Sequence, residues 1–163
     1  MLLAKNLAQP GLSTFHQLAL HDFTQATRRA AWRDWLSWLT RKSNTLLPFE
    51  QVRQQLLFKG QHSRGFQTVP LGKIVGSVNR YLDFDRAFYP RQIRTRDRWL
   101  SIDRAYYGEV ALPPVELLKI GEMYFVSDGH HRVSVARVWG QEFIDALVTE
   151  IDTVTPVETT MHI

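Results

Sequence analysis

The stretch that decides the fold is VELLKIGEMYFVSDGHHRVSVARVWG, residues 115–140. Two short apolar runs, 115–120 and 123–126, lie on either side of a Gly-Glu pair, which predicts two strands joined by a tight turn. A polar run (127–132) follows, and residues 133–139 then have the pattern of a helix that Gly140 would end. The stretch therefore predicts a hairpin, a polar turn and a helix, in that order.

The polar turn, Asp128-Gly129-His130-His131-Arg132, carries the chemistry. A glycine turn at a helix start presents free backbone N–H groups and the positive end of the helix dipole, which favours an anion. Arg132 offers a planar fork to phosphate oxygens, and His130 and His131 can donate to phosphate or carry protons. Asp128 can cap the helix, hold Mg²⁺ or hold a hydroxyl group. Adjacent histidines with one aspartate do not match the usual zinc-ligand spacing.

Composition excludes several classes of protein. The 163 residues contain 44% hydrophobic and 22% charged residues, which is typical of a globular chain and not of wholesale disorder. No cysteine is present, so thiol nucleophiles, thiolate metal sites and disulfides are excluded. No apolar run is long enough to span a bilayer and no signal peptide is recognised at the N-terminus, so we expect a cytoplasmic protein without a membrane partner.

Upstream of the hairpin the chain divides into a basic and a mixed part. Residues 1–68 hold nine Lys or Arg against three Asp or Glu. We predict helices over 13–40, with Asp22 as a candidate N-cap, and over 49–58, then a loop at 59–65. A short strand over 69–75, a helix around Trp99, Ile102 and Tyr106, and a last strand over 143–151 complete the prediction.

The first predicted helix carries an aromatic stripe. Trp32, Trp35, Leu36 and Leu39 share one face, and Trp38 widens it. Such a stripe is more often a packing surface than a platform for base stacking. The basic surplus leaves contact with DNA open, and the stripe leaves a homodimer open.

Residues 69–150 resemble the ParB/sulfiredoxin superfamily. Val69-Pro70-Leu71-Gly72-Lys73-Ile74 is similar to its opening strand, Tyr89-Pro90-Arg91 to its Gln-Pro-Arg element, and residues 112–140 to its strand–hairpin–box–helix core. The box is nearest to the Asp-Gly-x-His-Arg form of free serine kinases. Together with Val-Gly-Ser-Val-x-Arg at 75–80, it also resembles the motifs of bacterial ParB-like proteins. The resemblance implies an α+β fold with a small mixed sheet (69–150), preceded by a helical region (1–68) and followed by a tail (151–163).

The resemblance also implies a nucleotide pocket for ATP, ADP or CTP with Mg²⁺. Phosphates would contact Gly129, His130, His131 and Arg132, and Arg91 would reach in from the Pro-Arg element. Four residues are candidates for catalysis. Asp83 or Asp85 would act as the base, Asp128 would lie beside the acceptor hydroxyl, and His131 would carry a proton. Asp128 is also the candidate metal ligand. Sulfiredoxin chemistry is excluded, because His130 stands where that reaction needs a cysteine.

Three functions follow from these features. The first is a nucleotide-dependent phosphotransferase or NTP hydrolase, because phosphoryl transfer depends chiefly on positioning and charge neutralisation. The second is a nucleic-acid-binding module in which a nucleotide acts as a switch. The third is a non-catalytic interaction protein that uses the tryptophan helix.

Overall fold

The structure is a computed structural model and describes residues 11–154. Four helices and six strands follow one another along the chain: α1 (Leu12–Thr40), β1 (Leu47–Pro48), α2 (Phe49–Arg53), β2 (Phe58–Pro70), β3 (Ile74–Ser77), α3 (Arg96–Tyr107), β4 (Val115–Ile120), β5 (Met123–Asp128), α4 (His130–Val138) and β6 (Phe143–Thr153). Short 3₁₀ turns precede β3 and α3.

The strands form one mixed sheet in the order β1-β3-β5-β4-β6-β2. β4 and β5 are the predicted hairpin and pair antiparallel at the centre of the sheet. β3 runs parallel to β5, and β6 runs parallel to β4. The predicted α+β class, a small mixed sheet with helices and a helical segment before it, is confirmed.

Three helices stack outward from the centre of the sheet. α4 leaves the end of β5 and buries Val133 and Ala136 in the main core. α3 packs on α4 through the fully buried Trp99, whose indole N–H donates to Ser134 at 2.9 Å. α1 packs on α3 in turn, with Phe23 edge-on to Trp99. The start of α4 therefore lies where the central strand, α3 and the connection into β4 meet.

The predicted loop at 59–65 is wrong, because these residues belong to β2. That strand pairs antiparallel with β6 over most of its length, with a bulge between Ser63 and Gly65. Its side chains are nearly all exposed, so backbone hydrogen bonds to β6 hold it in place and no apolar pattern marks it. The boundary predicted at residue 68 falls inside this strand, and residues 1–68 are therefore not wholly helical.

Smaller predictions near the N-terminus also change. Asp22 is not an N-cap, because α1 begins at Leu12 and Asp22 accepts a hydrogen bond from Tyr107 in the middle of the helix. The second helix ends at Arg53 and does not reach Phe58. The strand predicted at 69–75 divides into the end of β2, a turn and β3. The last strand extends to Thr153, and residues 155–163 of the predicted tail lie outside the described residues.

The aromatic stripe of α1 does not pack against the rest of the chain. The buried residues of α1 end at Ala30. Beyond that point Trp32, Trp35 and Trp38 are 63%, 50% and 75% exposed. The preference for a packing surface is thus wrong for this chain on its own, and DNA contact and homodimerisation stay predictions. Among the helices of residues 11–154, none is long and apolar enough to cross a membrane.

Candidate functional site

The turn between β5 and α4 has the geometry that the sequence predicts. Gly129 adopts φ = +92° and is the N-cap of α4, with no side chain capping the helix. Asp128 is therefore not the cap. The left-handed backbone at Gly129 turns the chain directly from strand to helix, and the first-turn N–H groups of α4 stay without a side-chain acceptor.

A cavity of about 240 Å³ opens over this turn. Its walls come from the connection after β3, from α3, from the segment before β4 and from the turn itself: Arg80, Arg98, Ile102, Pro113, Asp128, Gly129, His130, His131 and Arg132. Three arginines face a single carboxylate, so the cavity is positively charged at the positive end of a helix dipole.

Arg98 is the unpaired cation of this cavity. It lies on the first turns of α3, and within the described residues its side chain makes no hydrogen bond or ion pair. Arg80 is held only loosely, with Nη1 3.5 Å from an oxygen of Asp83. Both guanidinium groups can therefore turn toward an anion without breaking a strong contact.

Arg132, in contrast, has a structural role. Its Nη1 donates to the carbonyl oxygens of Pro113 and Pro114 at 2.6 and 2.7 Å, and its Nη2 donates to Asp128 at 2.8 Å. These bonds tie the start of α4 to the segment that leads into β4. The sequence did not predict these contacts of Arg132, whose side chain also lines the cavity, and its contact with phosphate stays a prediction.

Truncating Arg132 should consequently destabilise the protein. Arg132→Ala leaves the two proline carbonyls without their donor, and we expect a loss of about 1–3 kcal/mol in the free energy of unfolding. Urea denaturation measures the effect. Arg132→Lys should recover only part of it, because an ammonium group cannot reproduce the planar fork. A fully stable Arg132→Ala variant would contradict this structural role.

The two histidines of the turn are buried and neutral. Burial first, and then the charge of Arg80, lower the pKa of His130 to about 4 and the pKa of His131 to about 4. Ser77 Oγ accepts hydrogen bonds from the amides of Arg80 and Asn79, so it donates its own hydrogen to His130 Nε2 at 2.8 Å. His131 Nε2 is buried without a partner. At neutral pH neither ring adds positive charge to the cavity.

Among residues 11–154, Asp128 supplies the only carboxylate in the cavity wall, and its side chain is 67% exposed. One of its oxygens accepts from Arg132, which leaves the other free. In residues 11–154 no three His, Asp or Glu side chains come together as a metal site. A single carboxylate is still compatible with Mg²⁺, which usually keeps several waters and takes its remaining ligands from phosphates.

Asp85 and Arg91 do not line this cavity. Asp85 is fully buried and accepts from Arg33 Nε at 2.8 Å and from the amides of Ala87 and Tyr89. Arg91 donates to Asp34 and to the carbonyl oxygen of Asn44. Both side chains therefore fix the 83–91 segment against α1 and the chain that follows it.

Asp83 lies one layer behind the cavity. It is buried, it accepts from Arg94, and its second oxygen lies 3.5 Å from Arg80. This contact is typical of a residue that positions Arg80 and does not itself contact a substrate.

A second cavity, of about 370 Å³, adjoins the first. Pro113 and Arg132 line both. The walls of the second cavity combine apolar or aromatic residues, among them Tyr106, Val110 and Phe143, with polar ones that include the acids Glu109 and Asp145. A positively charged cavity and a cavity of mixed character thus share one wall.

Sequence reasoning missed Arg80 and Arg98 as members of the site. Arg80 closes the Val-Gly-Ser-Val-x-Arg motif, which was the available signal for it. Arg98 is one of several arginines between 91 and 104, and only the packing of α3 on α4 singles it out.

Comparisons with known proteins assign no family to this chain. No family model matches the sequence, and no curated protein matches it. Among solved structures, the crystal structure of sulfiredoxin from Arabidopsis thaliana is similar, with a TM-score of 0.38 and 16% sequence identity over 51% of this chain and 82% of that one. A likeness of this size assigns neither a site nor an activity.

Proposed function

We propose that the cavity at the start of α4 binds the phosphate groups of a nucleotide, with ATP, ADP and CTP as the candidates. The observation that carries the proposal is the convergence of Arg80, Arg98 and Arg132 with a helix N-terminus on one cavity. The buried, unpartnered nitrogen of His131 beside it is a second, independent observation. A polar atom without a partner in a buried wall favours a bound group that would supply one.

The adjoining larger cavity suits the base of the same ligand. Arg132 and Pro113 separate the two cavities, so a phosphate in the smaller one places the rest of a nucleotide beside the larger one. Tyr106 and Phe143 offer aromatic and apolar surface for a base there. The acids Glu109 and Asp145 of the larger cavity would repel phosphates, which leaves the smaller, positively charged cavity for the anionic end of the nucleotide.

For a catalytic role, phosphotransfer or NTP hydrolysis is the reaction that this arrangement supports best. Arg80 and Arg98 would neutralise charge on the transferred phosphoryl group, which is the chief demand of such reactions. Asp128, through its free oxygen, would hold Mg²⁺ or orient the acceptor hydroxyl. Asp85 lies outside the cavity and Asp83 behind it, so Asp128 replaces them as the candidate catalytic carboxylate.

The experiment is a thermal-shift panel with ATP, ADP, CTP and GTP, each with and without Mg²⁺. A ligand at 100 times its Kd stabilises by about 2.7 kcal/mol, which corresponds to a rise in Tm of about 5–11 °C at this chain length. We expect one nucleotide to give this rise. Arg98→Gln should weaken its binding about 10- to 150-fold, because a charge-assisted bond to phosphate is lost.

The control is Arg96→Gln, which removes the same charge from the same helix outside the cavity. Because Arg98 has no internal partner, Arg98→Gln should unfold at the wild-type temperature without ligand. Equal nucleotide affinity in the two variants would contradict the proposed site. If the wild type releases inorganic phosphate from the nucleotide and Asp128→Asn does not, the site catalyses a reaction as well as binding the nucleotide.

A further inference from the structure

A second surface of the molecule has no part in the phosphate cavity. The tryptophan face is formed by Trp32, Trp35, Leu36, Trp38 and Leu39, all between 43% and 75% exposed. The rings of Trp32 and Trp35 lie 4.9 Å apart at an angle of 31°. Exposing so much aromatic surface without a partner is unfavourable, which marks the face as an interaction site.

Cations surround this face and acids do not. Between residues 28 and 42 the chain holds Arg28, Arg29, Arg33, Arg41 and Lys42 against the single acid Asp34. Oδ1 of Asp34 accepts from both Arg91 and Asn44, and Arg33 is paired with Asp85. The surplus of positive charge therefore lies on Arg28, Arg29, Arg41 and Lys42.

At each end of the face the cations continue into a concavity. Near Trp32, a groove of about 380 Å³ runs between Trp32 and Tyr89 under three arginines. Beyond Trp38, a cleft of about 960 Å³ is lined by Arg41, Lys42, Arg86 and Arg137, and no acid lines it. The side chains of Arg41, Lys42 and Arg86 make no hydrogen bond or ion pair within residues 11–154.

We infer that this surface binds single-stranded nucleic acid, with bases stacked on the tryptophans and phosphates held by the flanking cations. Aromatic rings along a positively charged groove are the features by which proteins hold single strands without reading sequence. From Arg28 to Thr40 the helix is about 18 Å long, which spans about five bases at a stacked spacing of 3.4 Å. The inference does not depend on the proposed nucleotide site, because the two share no residue.

The charges disfavour the two other occupants of such a face. In a pairing with a second copy, the cations of one helix would meet those of the other, and Asp34 is the single acid between residues 28 and 42 that could offset them. A lipid surface would meet the tryptophans but could not follow the cations into the cleft of Arg41, Lys42, Arg86 and Arg137. A flexible polyanion can follow both the face and the cleft.

The experiment measures fluorescence anisotropy of a fluorescein-labelled 12-nucleotide oligo(dT) across a range of salt concentrations. We expect binding with quenching of tryptophan emission, and affinity about 5- to 150-fold weaker in Trp32→Ala and in Trp35→Ala. Arg41→Gln with Lys42→Gln should lower the slope of log affinity against log salt by about 1.4. These side chains are exposed, so the unfolding temperature should not change.

The charge-matched control is Lys59→Gln with Arg64→Gln, on β2 at the opposite edge of the sheet from β1. It should leave both affinity and salt slope near wild type. Unchanged affinity in both tryptophan variants would overturn the inference. So would binding to vesicles of phosphatidylserine and phosphatidylcholine (1:3) with none to oligo(dT), or a sedimenting dimer that dissociates in Trp35→Ala and binds no oligonucleotide.

Discussion

Gly129→Ala is expected to destabilise the protein by about 2–5 kcal/mol. A Cβ on Gly129 would lie 2.6 Å from Cγ1 of Val115 and 2.9 Å from its Cβ. Val115 is a fully buried residue of the main core, so neither side can move away easily. The overpacking adds about 1–3 kcal/mol to the 1–2 kcal/mol that a left-handed backbone costs an alanine.

A matched variant separates the two contributions. Gly140 also has a positive φ, of 70°, but a Cβ there would meet nothing within 4 Å. Gly140→Ala should therefore lose only the backbone part, about 1–2 kcal/mol. Chemical denaturation of both variants measures the difference. Equal losses would show that Val115 does not press on the turn, which would contradict the close packing of Val115 against Gly129.

The second large effect is a loss of stability in acid. His130 and His131 have pKa values of about 4 in the folded state, well below the ordinary value of 6.5. Between these values the unfolded chain binds more protons, so stability is complete above pH 6.5 and falls as the pH drops toward 4. Each histidine contributes at most about 3 kcal/mol to this loss.

Asp103 acts in the opposite direction over the same range. Burial raises the pKa of its carboxyl to about 6, so the folded state takes up a proton that the unfolded state does not. Lowering the pH therefore stabilises the folded state through Asp103, by about as much as it destabilises the folded state through one histidine. Unfolding in urea at pH 7, 6, 5 and 4 should show a net loss of about 3 kcal/mol in the wild type.

The variant Asp103→Asn cannot take up this proton, but its amide oxygen can still accept the hydrogen bond from the indole N–H of Trp139. Its stability should fall about twice as far between pH 7 and pH 4 as that of the wild type. Asp97→Asn, on the first turn of the same helix, is the control and should follow the wild type. If the stability of Asp103→Asn fell by the same amount as that of the wild type between pH 7 and pH 4, the proton uptake assigned to Asp103 would be contradicted.

The centre of the sheet was predictable because its signals are local. The hairpin of β4 and β5, the turn at Gly129 and the end of α4 at Gly140 each depend on residues within a few positions of one another. Gly140 and Gln141 donate to Arg137 and Ala136, as expected where a left-handed glycine ends a helix. β2 was missed because its stability comes from backbone pairing with β6, about 90 residues away, which leaves no mark on its polar sequence.

The composition of the site was only partly predictable for the same reason. The box residues of the turn share a cavity because they are neighbours in sequence. Arg98 reaches that cavity only because Trp99 buries the inner face of α3 against α4. The contacts of Arg132 with Pro113 and Pro114 were not predicted, because they depend on how the segment before β4 packs against the start of α4. Asp85 and Arg91 were assigned by resemblance alone, and their contacts are with α1 and the segment after it.

The most direct test of the central claim is a nucleotide titration followed by NMR, with backbone amides and arginine side chains assigned. We predict that ATP, ADP or CTP shifts the amide signals of residues 128–132 and the Nε–H signal of Arg98, and that Arg98→Gln weakens the titration. Shifts confined to the cleft of Arg41, Lys42 and Arg86, or no shifts at all, would contradict a phosphate site at the start of α4.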